Sequence, residues 1–301
     1  MRGGRMTQRR KGAAGGGMVR TRIAAAAVAA LLLPGAAIAA EAETEAEVTD
    51  FAWTFEGPFG TFDQMQLQRG LQVYSAVCAG CHGLQYLSFR ALGDPTGPGL
   101  PEEQVKAIAA QYQCADPDLA PGETRACLPF DRFPPNTAVG APDLTLMAKA
   151  RSGFEGPWGL GINQFLYGIG GPEYIASLLL GYTGEEQEVA GNLLYENAIF
   201  PGGLIQMAPP LYGEDVDYTV FDAFGAEAEE AGGYVPPEPT MEQEVLDVTA
   251  FLMWAAEPNM VERRQAGFRN LIMIAVLAVL LYFTNKKLWA PIKHRQERKG
   301  T

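Results

Sequence analysis

Cys78-Ala79-Gly80-Cys81-His82 is the stretch from which the rest of the chain is read. Two thiols three positions apart, with a histidine directly after the second, match the chemistry of covalent haem attachment. Each thiol adds to one vinyl group of the porphyrin. The histidine then stands where its imidazole meets the iron from one side. Ala79 and Gly80 are small enough for the porphyrin edge to lie against the backbone. Two other chemistries use cysteines at this spacing. A dithiol redox pair needs no histidine there and sits beside a βαβ pattern, which this sequence lacks. A zinc site needs about two more Cys or His ligands. The chain has 4 cysteines and 2 histidines, and His294 lies beyond a long apolar segment. Only Cys114 and Cys127 could complete a zinc set, and in an exported chain a disulfide between them is the expected alternative.

Working outward, the residues before the motif read as a helix. Thr61-Phe62-Asp63-Gln64 fits a capping box at its start. Leu67, Leu71, Tyr74 and Cys78 then fall on one helical face, so this helix delivers the first thiol. After the motif, residues 91–142 are rich in Gly, Pro and Asp and read as loops around one short helix, roughly Glu102 to Tyr112. Gly153 to Gly171 is a second loop region, and Glu173 to Leu180 a short helix. Residues 201–240 are loop again, acidic and without a basic residue. A strong helix begins at Thr240, whose hydroxyl and Gln243 form another capping box. Its apolar stripe is Val245, Val248, Leu252 and Ala255, and Pro258 stops it.

The two ends carry targeting and anchoring signals. Residues 1–39 read as a secretory signal peptide: a basic region to Arg22, an apolar stretch from Ile23 to Leu33, and small residues around Ala37-Ile38-Ala39. Translation could equally begin at Met18. Near the C-terminus the uninterrupted apolar run, Leu271 to Phe283, falls short of the ~20 residues a bilayer needs. The wider window 267–289 is long enough, and its charges, Arg269, Lys286 and Lys287, lie near its ends. Downstream stand Lys286, Lys287, Lys293, Arg295, Arg298 and Lys299, against Arg263, Arg264 and Arg269 upstream. That excess places the tail 290–301 in the cytoplasm. Residues 40–262 are then an extracytoplasmic domain held by one transmembrane helix. Residues 41–262 hold 34 of the 35 acidic residues and 7 of the 23 basic ones. Such a head excludes nucleic acid, which needs a basic face, and suits a basic protein partner.

The iron needs a second axial ligand. His82 is the sole histidine of residues 40–262, so methionine is the expected partner. Met65, Met241, Met253 and Met260 lie in helices or beside the membrane, where core packing is the simpler role. Met147 and Met207 remain. Met207 is favoured, because Gly202-Gly203 loosens the chain before it and Pro209-Pro210 stiffens it after.

Several stretches resemble the cytochrome c1 family. They are Arg69-Gly70 with Tyr74 ahead of the haem motif; Ala141-Pro142-Asp143-Leu144; Met147-Ala148-Lys149-Ala150-Arg151; Gly171-Pro172-Glu173-Tyr174; Met207-Ala208-Pro209-Pro210-Leu211; Phe251-Leu252-Met253-Trp254-Ala255-Ala256-Glu257-Pro258; and Leu281 through Trp289. The resemblance implies a mainly α cytochrome c-type haem domain with long loops plus one C-terminal transmembrane helix. It implies one haem c on Cys78 and Cys81, with His82 and Met207 as axial iron ligands. Pro142 would offer its carbonyl to the other ring nitrogen of His82, and Arg151 would pair with a haem propionate. Gly70 and Tyr74 would meet Val248 and Phe251 where the first and last helices of the head cross. Cys114 and Cys127 are outside the family pattern.

With both axial positions filled, no bond chemistry is expected of the chain on its own. The resemblance implies an electron-transfer subunit of a quinol–cytochrome c reductase in the bacterial cytoplasmic membrane, its haem domain on the periplasmic side. Its partners would be cytochrome b, a Rieske iron–sulfur protein as donor, and a basic soluble or tethered cytochrome c as acceptor, in a dimeric multi-subunit complex. A membrane-tethered cytochrome c of another respiratory complex is the alternative.

Overall fold

Helix α1 (Gln64–Ala76) begins on a carboxylate rather than on the expected hydroxyl. Asp63 caps it, its side chain accepting from the backbone N–H of Met65 and Gln66 at 2.9 and 3.3 Å. A negative cap also complements the helix dipole. The Thr61 N–H, which a capping box would offer to Gln64, donates instead to the carbonyl of Thr54. Gln64 donates to the Pro95 carbonyl rather than closing a box. The computed structural model describes residues 48–297 apart from 117, 121, 152–169, 219, 222–225 and 228–235. The expected signal peptide, most of the glycine-rich stretch 153–171, and the acids Asp222, Glu229 and Glu230 lie outside the described residues.

Among the described residues the further α-helices are α2 (Glu102–Ala110), α3 (Met147–Ala150), α4 (Gly171–Leu180), α5 (Met241–Ala256) and α6 (Met260–Glu297). Thr240 caps α5 as expected, accepting from the N–H of Gln243 at 3.3 Å. The Gln243 side chain turns to Asp247 instead of back to the cap. The described part of the head is therefore mainly helical, as the sequence resemblance implies, with irregular chain between short elements.

The core forms where α1 crosses α5. Leu67, Leu71, Val73 and Tyr74 of the one pack on Val245, Val248, Phe251 and Trp254 of the other, all nearly inaccessible to water. The backbones touch at Gly70. A Cβ there would collide with the carbonyl oxygen of Asp247 and stand 2.7 Å from the Cβ of Phe251. Next to this contact Arg69 grips Asp247 with two hydrogen bonds of 2.7 and 2.9 Å. Gln243 supplies a further donor to Asp247, and the Tyr218 ring lies 5.7 Å under the guanidinium. A buried charge pair with this many partners fixes the register of the crossing more than it adds stability.

Strands appear where the sequence showed none. Gln113–Ala115 (β1) and Thr124–Ala126 (β2) form a hairpin, and the Cys114–Cys127 disulfide clasps it. Closing a loop of sequence separation 13 is worth roughly 3 kcal/mol by chain entropy. Tyr182–Val189 (β3), Asn192–Asn197 (β4) and Leu204–Ile205 (β5) form an antiparallel sheet. Its first turn is Ala190-Gly191, both at positive φ, the geometry of a two-residue hairpin.

Helix α6 leaves the head at Pro258. Within it Met260–Pro291 is apolar and long enough to cross a membrane. At 1.5 Å per residue its length exceeds the ~30 Å hydrocarbon core. Its base is tied down. Glu257 takes ion pairs from Lys149 and from Arg263, and Arg264 donates to the Phe55 carbonyl at 2.6 Å. Filling the α1–α5 contact with Gly70→Ala is expected to cost roughly 1–3 kcal/mol. Thermal unfolding followed by circular dichroism should show a midpoint several degrees lower; an unchanged midpoint would mean that the backbones have room to part.

Candidate functional site

The end of α1 sets the site. Past Ala76 the chain tightens into a 3₁₀ turn over Cys78–Gly80. The N–H groups of Cys81 and His82 both donate to the Cys78 carbonyl, at 3.1 and 2.9 Å. This turn puts the two thiols and the imidazole on successive edges of one short coil. Cys78 and Cys81 are both free thiols. Cys78 packs against the core, while Cys81 is exposed. Burial, with the Cys81 thiol adding to it, pushes the Cys78 thiol up to about 12, so it is neutral at pH 7.

The loop is held from three sides. Tyr74 donates its hydroxyl to the carbonyl of His82 at 2.9 Å. Asn136 donates to the carbonyls of Ala79 and Gly80, at 3.1 and 2.9 Å. Leu144 donates its N–H to the Gly83 carbonyl at 3.0 Å. Gly83 has to be glycine, since a Cβ there would come within 2.8 Å of the Asn136 nitrogen. Asp143 braces the same segment, accepting from the N–H of Gln85 through one oxygen and from Thr145 through the other.

The decisive contact is made by His82. Its Nδ1 lies 2.7 Å from the Pro142 carbonyl oxygen. A carbonyl only accepts, so Nδ1 carries a proton, and in the neutral ring Nε2 is then the nitrogen with the free lone pair. That is the tautomer an iron ligand requires, with its ring orientation already fixed. Around it, the side of Gly80 is open: a Cβ there would meet nothing within 4 Å. Two free thiols one turn apart, a pre-set Nε2 and an open flank fit a c-type haem.

The other expected residues stand on separate segments. Met207 follows β5 in a half-exposed loop, and the hydroxyl of Tyr182 anchors it by donating to the Met207 carbonyl at 2.9 Å. Met147, the competing methionine, begins α3 and packs on the core. Arg151 is exposed just past α3, with no hydrogen bond or ion pair among the described residues. The sequence reading missed Asn136 and Tyr182, and it gave no role to Asp143, which stands in the Ala141–Leu144 stretch. Asn136 follows Pro134-Pro135, a rigid approach that marks a fixed loop but does not say what the amide will hold.

Known proteins match this sequence. The Cytochrome C1 family model matches residues 53–292. A cytochrome c1 of Cereibacter sphaeroides is 44% identical over 285 residues, covering 87% of this chain and 93% of that protein. The chain belongs to the cytochrome c1 family. A cytochrome c1 of Rhodobacter capsulatus is 40% identical, over 87% of this chain and 94% of its own. A Bradyrhizobium diazoefficiens protein named cytochrome b/c1 is 39% identical over 79% of this chain, which spans 35% of that protein. As a member of the cytochrome c1 family, this chain is a haem protein that transfers electrons as a subunit of the bc1 complex alongside cytochrome b. With α6 it is a single-pass membrane protein. The alternative, a tethered cytochrome of another respiratory complex, is not favoured by these matches.

In the haem-bearing protein, Asn136→Ala should leave the Ala79 and Gly80 carbonyls short of a donor. The expected cost is roughly 1–3 kcal/mol. The thermal midpoint should fall while the haem stain on a denaturing gel persists; an unchanged midpoint would show that water replaces the amide without loss.

Proposed function

We propose that Cys78 and Cys81 carry one haem c through two thioether bonds, and that His82 Nε2 and the Met207 sulfur take the two axial positions. The observation that carries this reading is the 2.7 Å contact from His82 Nδ1 to Pro142, which commits one ring nitrogen and frees the other. When bound, the haem supplies a one-electron couple. The chain's own residues do the rest. Pro142 holds the imidazole aimed with a proton on Nδ1, and that hydrogen bond makes Nε2 a stronger donor toward the iron. Met207 favours the reduced state relative to a second imidazole. Tyr182 restrains the Met207 backbone. Arg151, exposed and free of other ion pairs among the described residues, offers its guanidinium to a propionate.

The same reading divides the chain into a signal peptide over 1–39, a periplasmic haem domain over 40–262, a membrane helix over 267–289 and a cytoplasmic tail over 290–301. The C-terminal excess of basic residues supports this orientation. Of the three basic residues upstream of the span, Arg263 and Arg264 are already engaged by Glu257 and the Phe55 carbonyl, which ties them to the head. Electrons enter from a Rieske iron–sulfur protein and leave to a basic cytochrome c. Beside the Met207 loop, a cavity of about 280 Å³ is lined by Tyr182, Tyr195, Tyr212, Glu185, Glu186 and Glu196. Its carboxylates add to a field of one sign that steers a basic partner.

Met207→Leu should keep the haem attached, lower its midpoint potential and open the iron to carbon monoxide. Potentiometry and a reduced spectrum with and without carbon monoxide read this out, and an unchanged potential would place the sixth ligand elsewhere. Electron transfer to a basic cytochrome c should slow steeply with salt. A flat rate up to ~0.5 M, where screening shortens to a few ångströms, would remove the steering role.

A further inference from the structure

Away from the haem loop the chain gathers carboxylates that electron transfer does not use. Asp50 and Glu56 come from the strap ahead of α1, and Glu173 from the first turn of α4. Each offers an oxygen, and these oxygens all lie within 4.8 Å of one another. Glu173 is only 1% exposed. The indole N–H of Trp53 donates to its Oε1 at 2.9 Å. Its Oε2 is buried and, like Oε1 of Glu56, meets no N–H or hydroxyl donor among the described residues; the two carboxyl groups face each other. Among the described residues no Lys or Arg forms an ion pair with any of the three. The cluster is also well placed by its neighbours, since the Thr49 N–H donates to the Ser177 hydroxyl of α4 at 2.9 Å.

A buried carboxylate oxygen facing other carboxylates without a donor is costly unless a proton or a cation neutralises it. Burial, reinforced by Glu173, pushes Glu56 up to about 8, and burial raises Glu173 as well. Neutralisation by a metal ion needs the right donors. All three groups are hard oxygen ligands, which suit Ca²⁺ and Mg²⁺ over soft or nitrogen-seeking metals. Two ligands of one Ca²⁺, at about 2.3–2.6 Å each, stand at most about 5 Å apart, so the observed spacing allows all three to share an ion. Asp50 is exposed, so the outer side is open to the waters that complete a shell of six to eight.

We propose that Asp50, Glu56 and Glu173 bind a hard divalent cation of the Ca²⁺ class that fastens the N-terminal strap to α4. The strap is held at its other end by Arg264 of α6, through the Phe55 carbonyl. The ion therefore stiffens the junction between the head and its membrane helix. This goes beyond the electron-transfer role and does not depend on how the haem is ligated.

The test uses the full-length haem-loaded protein in detergent, with Tb³⁺ as the probe. Trp53 touches Glu173, so its indole should sensitise Tb³⁺ emission that added Ca²⁺ displaces. Ca²⁺ should raise the thermal midpoint relative to a chelator. Glu173→Gln and Asp50→Asn should each weaken Tb³⁺ and Ca²⁺ binding at least tenfold and leave the visible haem spectrum unchanged. Asp50 is on the surface, so Asp50→Asn keeps the test open if the buried variant misfolds. Trp53→Phe should lose the sensitised emission and keep the Ca²⁺-induced midpoint shift. Absence of displaceable emission, undiminished affinity in Asp50→Asn, or emission that survives in Trp53→Phe would each overturn the proposal.

Discussion

Backbone touches backbone where Gly70 of α1 lies on Asp247 of α5, and the positions of the functional groups follow from that contact. It fixes the depth at which α1 enters the core. The Arg69–Asp247 pair fixes its rotation and register. With depth and rotation set, Tyr74 points its hydroxyl at the carbonyl of His82, and Phe251 backs its ring at 5.8 Å. The haem turn is thus a continuation of a helix that has no freedom left. Any loosening at the crossing would reach His82 through Tyr74, eight residues along the chain.

The loops do the complementary job. A c-type haem demands ligands from opposite faces, which no single short helix supplies. The histidine side is built by the end of α1 and locked by Pro142, Asp143 and Asn136. In the proposed ligation the second ligand, Met207, stands on a loop that Tyr182 ties to the three-stranded sheet. The Cys114–Cys127 clasp and the Phe89–Tyr112–Phe133 ring cluster secure the long connection between α2 and the Pro142 segment. An abundance of glycine and proline in such a chain reflects these long, rigidly pinned excursions.

Some of this was legible in the residues themselves. The haem-attachment motif Cys78-Ala79-Gly80-Cys81-His82 is contiguous, so no folding knowledge is needed to read it. The α5 cap at Thr240 and the membrane span are likewise local in sequence. The role of Pro142 came only from resemblance, because 60 residues separate it from His82 and a carbonyl leaves no mark in the sequence. The sheet over 182–205 escaped notice since β3 is polar on both faces and almost wholly exposed, with no alternation to betray it. The start of α1 was misplaced because two capping candidates, Thr61 and Asp63, lie two residues apart, and it is the Asp63 carboxylate that meets the free N–H groups of Met65 and Gln66. Asn136 and the Asp50–Glu56–Glu173 cluster depend on tertiary meetings that no spacing announces.

Covalent attachment underlies the whole account, since the 3₁₀ turn, the two free thiols and the pre-aimed imidazole have their purpose only if the porphyrin is bonded to Cys78 and Cys81. Extraction of the purified protein with acidified acetone tests this most directly. The account predicts that the pigment stays with the precipitated polypeptide. Pigment passing into the acetone would contradict it.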